Sequence, residues 1–386
     1  MINIIRPIYG LNDSPQRWFL KVTETLVSQG WIPSQLDRCL FWYRNPDYSL
    51  GGVLGFHVDD VLTGGEGTAY EAAVACLRKT FPFRKWREWN GEFCGSWMEQ
   101  AEDYSITLSQ QAYAEKMPKV TVRSRVPPET QASTSEVASL RTCNGAAQWL
   151  SKETRPDLAA QCSFSQQALS EPTVGDCRAA NLLTKRARQF ADSTWRILAI
   201  PLSELTMCTH TDSAFQNCRN GGTQSGYIVG ATNQDLAKGL DGPWAPLVWR
   251  SHRLKRVVGS TLAAETQGLL EGLGHCEWLA CFFCEALFSE FQLRYRSRWL
   301  KKLHMQFVID CKSLYDHLTG LSNPSSIQDK RCVVDVVIAQ QSLKRCGAIL
   351  RWAPTDRQIA DALTKDKAEP IDLLRSAMRG KISNCQ

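Results

Sequence analysis

The spacing of apolar positions divides the chain into three stretches. Over the first 120 residues helical and strand-like patterns are mixed: a helix is predicted over Gln16–Ser28, strands over Cys39–Tyr43 and Gly52–Val58, and a second helix over Thr68–Thr80. Residues 121–139 lose this periodicity, carry Pro127, Pro128 and a Ser/Thr-rich run, and read as a linker. From Leu140 to Gln189 the pattern is helical but broken at Arg155-Pro156 and Glu171-Pro172. The residue before each proline is driven out of helical backbone, so a connector of two or three helices is expected.

The last stretch has the most readable order. Strands are predicted over Leu205–Asp212, Ser225–Gly230 and Pro246–Ser251, the first two joined through a turn at Gly221-Gly222. A long helix capped by Ser260 or Thr261 then reaches about Phe283. A strand over Gln306–Asp310, a short helix over Lys312–Leu318, a helix over Asp329–Lys344, a strand over Ile349–Trp352 and a closing helix over Gln358–Lys365 complete the order. Three strands followed by alternating helices and strands imply an antiparallel region joined to a parallel one, covered by helices on both faces. The expected fold class is α/β in the mixed α+β sense, in three parts: 1–120, 121–200 and 201–386.

Four acids on this layout lie in or beside apolar segments. Asp212 ends the first strand of the last part, Glu265 faces inward from the second turn of the long helix, Asp310 ends the fourth strand, and Asp361 opens the closing helix. Singly, each has an ordinary structural reading: Asp212 as a turn starter, Glu265 as a partner of the helix dipole, Asp310 as a cap and Asp361 as an acid in a first helical turn. Jointly they fit another. Ligands gather at strand ends in α/β sheets, and four converging carboxylates make a hard, oxygen-lined pocket suited to two magnesium ions, with manganese as the alternative.

Composition narrows the classes. The chain has 386 residues, 43% hydrophobic, with a net charge of +6. At roughly 150 residues per domain that allows two or three cored domains, and the mild charge permits a nucleic-acid partner without requiring one. No apolar run has membrane-spanning length, and Asn3, Arg6 and Pro7 interrupt the start, so an intracellular protein of cytoplasm or nucleus, with no membrane partner, is expected. The 15 cysteines are scattered, which points to reduced, buried thiols rather than disulfides. His275, Cys276, Cys281 and Cys284 have partly zinc-like spacing, but Trp278, Leu279, Phe282 and Phe283 among them favour packing. Basic residues cluster at Arg178, Lys185, Arg186 and Arg188 and at Arg294–Lys302, each readable as a solvated surface or as a nucleic-acid contact, and at Arg250–Arg256, which could supply contact to a nucleic-acid backbone.

Several motifs carry a family resemblance. Tyr9-Gly10-Leu11 with Pro15, Trp18 and Phe19, then Asp37, Cys39, Leu40 and Phe41, precede Phe56-His57-Val58-Asp59-Asp60-Val61-Leu62. Leu108-Ser109-Gln110 with Tyr113 and Thr154-Arg155-Pro156-Asp157-Leu158 follow, and then Thr211-Asp212-Ser213-Ala214, Ser225-Gly226-Tyr227, Val248-Trp249-Arg250-Ser251, Ser260-Thr261, Ala264-Glu265, Asp310 with Ser313, and Ile359-Ala360-Asp361-Ala362-Leu363-Thr364-Lys365. From about Ile5 to Lys365 the chain resembles the copia-type retrotransposon polyprotein, in the region where reverse transcriptase is followed by ribonuclease H.

The resemblance implies a partial polymerase palm and start of a thumb over 1–120, a linker and helical connector over 121–200, and a ribonuclease H-like domain with a five-stranded mixed sheet and a C-terminal tail over 201–386. It implies that Asp212, Glu265, Asp310 and Asp361 hold two magnesium ions and cleave the RNA of an RNA–DNA hybrid, with Arg250, Arg253, Lys255 and Arg256 on the nucleic-acid backbone and the rest of the polyprotein as a further partner. Asp59 and Asp60 would be the polymerase remnant. His57 stands where the family has tyrosine, and a further palm aspartate belongs to a strand preceding this sequence, so polymerase activity of this chain alone is not expected. Alternation along a strand favours Asp59 as the direct ligand unless the hairpin turns at the pair. The competing class is a decayed or domesticated module that binds nucleic acid without catalysis.

Overall fold

A computed structural model describes residues 12–238 and 240–382; Tyr9-Gly10-Leu11 and their neighbours lie outside them. The chain packs as two compact units, residues 1–95 with 281–299, and residues 96–280 with 300–386.

The first unit is a four-stranded antiparallel sheet, in the order Ile32–Pro33, Leu40–Arg44, Leu50–His57, Asp60–Gly65, packed against helices Ser14–Ser28 and Thr68–Thr80. Val22, Leu26, Trp31, Phe41, Leu54, Phe56 and Leu77 form its core. The two helices and the two middle strands match the predicted spans to within two residues; strands Ile32–Pro33 and Asp60–Gly65 have no counterpart among the predicted strands. The hairpin turns at Val58 and Asp59, with His57 opposite Asp60 and Val58 in the left-handed region at φ 55°. Residues 281–299 complete the unit. Glu285 accepts from Ser34 Oγ at 2.6 Å and from the Gln35 amide at 2.7 Å, and Gln35 in turn bonds the backbone of Phe291 and Leu293.

In the second unit the connector has three helices, Thr134–Glu153, Ala159–Gln167 and Val174–Gln189. The predicted linker runs too far, because residues 134–139 are helical. Ser133 and Glu136 form a reciprocal capping box, so the Ser/Thr-rich run starts a helix instead of prolonging a loop. A second capping box, Thr173 with Asp176, starts the third helix. Three of that helix's four basic residues are engaged internally: Arg178 donates to the Val126 carbonyl, Arg188 to the Met117 carbonyl, and Arg186 pairs with Asp366 at 2.6 Å.

The predicted five-stranded mixed sheet flanked by helices follows. Its order is Ala245–Arg253, Gln224–Thr232, Thr206–Ala214, His304–Ile309, Ile349–Trp352. The first three strands are antiparallel and the last two run parallel to the central one. The central strand is buried along nearly its whole length because both faces are covered. On one face Cys208, Ile228, Val308, Ile359, Leu363, Ile371 and Leu374 make a continuous core. On the other lies the long helix Thr261–Leu287, brought close by glycine: a Cβ at Gly268 would meet Ser213 Oγ at 2.6 Å and one at Gly272 would meet Thr211 Cγ2 at 2.6 Å.

Two expectations about the C-terminal end are corrected. The segment carrying Asp361 is a 3₁₀ turn, Ile359–Leu363, rather than an α-helix. The following residues, expected as a tail, form helix Ala368–Met378. Pro370 reads as a breaker, yet within a first turn its missing N–H has no helical partner to lose.

This closing helix and the connector are joined by a buried charge network. Asp157, with no exposed side-chain surface, accepts from Arg155 Nε and Nη2, both at 2.8 Å, and from Arg375 Nε at 2.9 Å. Arg155 Nη1 also donates to the Phe190 carbonyl at 2.7 Å, and the Arg375 guanidinium lies over the Phe190 ring at 3.6 Å. Removing Asp157 would leave the buried Arg155 guanidinium without a counter-charge and Arg375 with only the exposed Asp372, at 3.3 Å. Asp157→Ala is expected to cost about 3–5 kcal/mol in chemical denaturation of the full chain; a loss below about 1 kcal/mol would show that the network does not hold the connector in place.

Candidate metal centre

The sheet register brings the acids together. Asp212 pairs with Gly226 on the neighbouring strand, and on the other side Val308 pairs with His210, so Asp310, two residues on, lies level with Asp212. Asp361 arrives from the 3₁₀ turn. Each of Asp212, Asp310 and Asp361 offers a carboxylate oxygen within 4.8 Å of the others. Glu265, 5% exposed on the long helix, stands outside that tight triad but close enough for Asp212 and Asp310 to repel its charge.

Several residues beyond the acids hold this arrangement. Gln358 is fully buried; its Nε2 donates to the Thr211 carbonyl at 3.1 Å and its Oε1 accepts from His210 Nδ1 at 3.0 Å. One side chain thus ties the start of the Asp361 turn to the central strand. Asn217 Nδ2 donates to the Thr364 carbonyl at 2.8 Å, Ser251 Oγ bonds the Leu363 carbonyl, and Thr364 Oγ1 donates to Asp212 Oδ2. Gly226 permits the approach, since a Cβ there would lie 2.4 Å from the Leu363 Cβ. Thr355 Oγ1 holds Asp310 Oδ2 at 3.0 Å and Trp352 Nε1 holds its carbonyl at 2.9 Å. Of these supports, Thr364, Ser251 and Gly226 stand out in the sequence only as parts of motifs, and Gln358, Asn217 and Thr355 carry no signal there.

Burial and proximity both disfavour four ionised carboxylates. Desolvation, and next the Asp361 carboxyl, push Asp212 up to about 6. Desolvation followed by Asp212 and Asp310 holds Glu265 well above the ordinary range, and desolvation is also the leading cause of the upward shifts of Asp310 and Asp361. Lys365 supplies the counter-charge among the described residues, with Nζ 2.8 Å from Asp361 Oδ1 and 3.7 Å from Asp212 Oδ2. His210, buried and lowered to about 4, adds none near neutral pH.

The donor set fits a hard divalent cation. Every candidate ligand atom is a carboxylate oxygen, and Glu265 Oε2 and Asp310 Oδ1 are buried with no hydrogen-bond partner among the described residues. The other candidates are arranged differently. Asp59 and Asp60 are exposed at the hairpin turn, and among the described residues no third ligand gathers with them. Asp59 lies in the two-residue turn and Asp60 starts the following strand, so the two are not successive residues of one strand and alternation gives no reason to prefer Asp59. Arg250, Arg253, Lys255 and Arg256 are exposed, but Arg256 is ion-paired with Asp335 at 2.9 Å and the Arg253 guanidinium packs beside Gly222. Cys276, completely buried, has its thiol pushed up to about 12 by desolvation, and His275 stacks on Tyr227; both belong to packing. No helix among the described residues is long and apolar enough to cross a membrane.

No protein-family model matches the chain. Among solved structures it is similar to ribonuclease H1 of the halophilic archaeon Halobacterium salinarum NRC-1, at 16% identity over 41% of this chain and 93% of that one, with a TM-score of 0.28. It is also similar to the N-terminal RNase H domain of a Mycobacterium tuberculosis protein (16%, 45% and 97%, TM-score 0.28) and to LC11-RNase H1 isolated from compost (14%, 44% and 96%, TM-score 0.29).

The electrostatics give a signed test. Asp212 binds its proton more tightly folded, at about 6, than at its ordinary 3.8, so the stability it contributes is full below 3.8 and lost as pH rises through about 6. In chelator, Asp212→Asn is expected to stabilise the chain by on the order of 2 kcal/mol above pH 7 and to lose that advantage near pH 4, read from denaturation midpoints. Lys365→Met should act oppositely in chelator, lowering the midpoint at pH 8, and the deficit should shrink when magnesium is added. An equal deficit with and without magnesium would mean that Lys365 does not serve the acids as their counter-charge.

Proposed function

We propose that the second unit is a ribonuclease H that hydrolyses the RNA strand of an RNA–DNA hybrid. The observation that carries this reading is the meeting of Asp212, Asp310 and Asp361 at one end of a five-stranded sheet, with Glu265 beside them, in an arrangement that resists ionisation unless a cation is present. Two magnesium ions held by these four residues would activate the attacking water and neutralise charge on the scissile phosphate. The protein's own part is to hold the four carboxylates before any ion arrives. Gln358, Thr364 and Thr355 fix their directions, and Lys365 balances part of their charge.

Recognition would follow shape and backbone, because a hybrid presents 2′-hydroxyls on one strand only. Arg250, Arg253 and Lys255, exposed near the end of the edge strand and in the segment leading to the long helix, are assigned to phosphate contact. Arg256 has a weaker claim, being paired with Asp335. The same reading takes the chain as part of a copia-type retrotransposon polyprotein and the first unit as a polymerase remnant. Two exposed aspartates at a hairpin turn, with no third ligand beside them among the described residues, support a remnant inactive by itself.

The test is hydrolysis by the full chain. With magnesium it should cleave the RNA of a labelled hybrid and leave the corresponding DNA duplex intact. Asp212→Asn should lower the rate by about 10³-fold, corresponding to a loss of about 4 kcal/mol of transition-state stabilisation, while retaining salt-sensitive binding. Binding of hybrid by the wild-type chain without any cleavage would replace the nuclease with a non-catalytic nucleic-acid-binding module.

A further inference from the structure

The segment 293–299 carries an unusual charge arrangement. Arg294, Arg296 and Arg298 are all exposed, and among the described residues none of them is ion-paired. Several arginines elsewhere in the chain do find acids: Arg123 meets Glu136, Arg219 meets Asp176, Arg256 meets Asp335 and Arg345 meets Glu277. Three like charges within five residues repel one another unless an anion lies among them.

This turn is also built rather than loose. Beneath it the Trp299 ring, 6% exposed, stacks on Phe288 at 5.2 Å and approaches Phe291 at 6.4 Å. Gln35 bonds the Phe291 carbonyl at 2.9 Å and the Leu293 amide at 3.1 Å. The aromatic anchor and these two bonds hold a pocket of about 430 Å³ lined by Arg294, Tyr295, Ser297 and Arg298. Tyr295 is 53% exposed with the Arg294 guanidinium over its ring, 5.2 Å from the centre, and the Arg298 guanidinium lies over the Trp299 ring at 5.5 Å.

We propose that this pocket binds single-stranded nucleic acid, with Arg294 and Arg298 on successive phosphates and a base stacked on Tyr295. The exposed aromatic face decides in favour of a single strand, because the bases of a duplex are already stacked on one another and present only edges and backbone. The pocket lies in the first unit and uses none of the four acids, so it serves to hold a strand and takes no part in hydrolysis.

The experiment is fluorescence anisotropy of the full chain, in chelator, with labelled oligo-dT of about 20 nucleotides, longer than the ~4–16 that a whole OB fold covers. Arg294→Gln combined with Arg298→Gln should weaken binding at least tenfold near 100 mM salt and reduce the slope of log K against log[salt] by about 1.4, at ~0.7 for each phosphate no longer neutralised. Tyr295→Leu should weaken binding about 5- to 100-fold and leave that slope unchanged. Both variants should keep the wild-type melting temperature and, because the nuclease site is elsewhere, cleave a short hybrid at the wild-type rate. Unaltered binding in the double variant overturns the proposal. A double variant that loses binding beside a Tyr295→Leu chain that does not overturns the stacked single strand and leaves a bare polyanion surface. Absence of hydrolysis by the wild-type chain would bear on the nuclease reading alone.

Discussion

Three carboxylates gathered at one largely buried point, with a fourth close beside them, are the constraint on which the second unit is organised. Nothing in packing favours such a group: each acid loses hydration, each repels the others, and a single ammonium offsets only part of the charge. They persist because four separately anchored elements deliver them. The central strand brings Asp212, the adjacent parallel strand leads into Asp310, the long helix is let down onto the sheet at Gly268 and Gly272, and the 3₁₀ turn is fastened through Gln358. The cost of holding them falls on the whole sheet.

That explains why the surroundings are so thoroughly bonded. The connector does not merely precede the sheet; Trp249 Nε1 donates to the Ser151 carbonyl, Gln224 Nε2 to Ser163 Oγ, and Asp157 locks the connector to the closing helix. Cooperative scaffolding of this kind lets an unfavourable charge cluster be pre-set, its carboxylates held in place by the surrounding bonds. The contrast with the first unit is physical as well. There, Asp59 in the two-residue turn and Asp60 at the start of the next strand are exposed, and no surrounding structure among the described residues directs them to a common point.

Much of this is legible in the sequence, for identifiable reasons. Helix Thr68–Thr80 and the parallel strand Ile349–Trp352 are marked by clean periodicity and by glycine or proline punctuation. The three antiparallel strands follow in the expected order, although each runs past its apolar segment, since backbone pairing continues beyond the last apolar residue. The Asp361 turn reads as α-helical because Ile359, Ala362 and Leu363 are spaced as in an α-helix; what shortens it is Gln358 bonding outward to the central strand, a tertiary contact without a local signal. Helix Ala368–Met378 is hidden by Pro370, and the start of the first connector helix by the very Ser/Thr content that caps it. The convergence of the acids follows from the order of elements, but the role of Lys365 does not, because a lysine four residues after an aspartate reads equally well as an ordinary surface pair.

Gly226 has no functional group at all, yet the site depends on it. It sits directly across from Asp212, and the space its missing side chain leaves is filled by Leu363. A variant with even a methyl group there would keep all four acids, its net charge and its core, yet the 3₁₀ turn would stand off the sheet and Asp361 with it. The fidelity of the site is thus written partly in an empty position, and an inventory of its ligands would be blind to such a lesion.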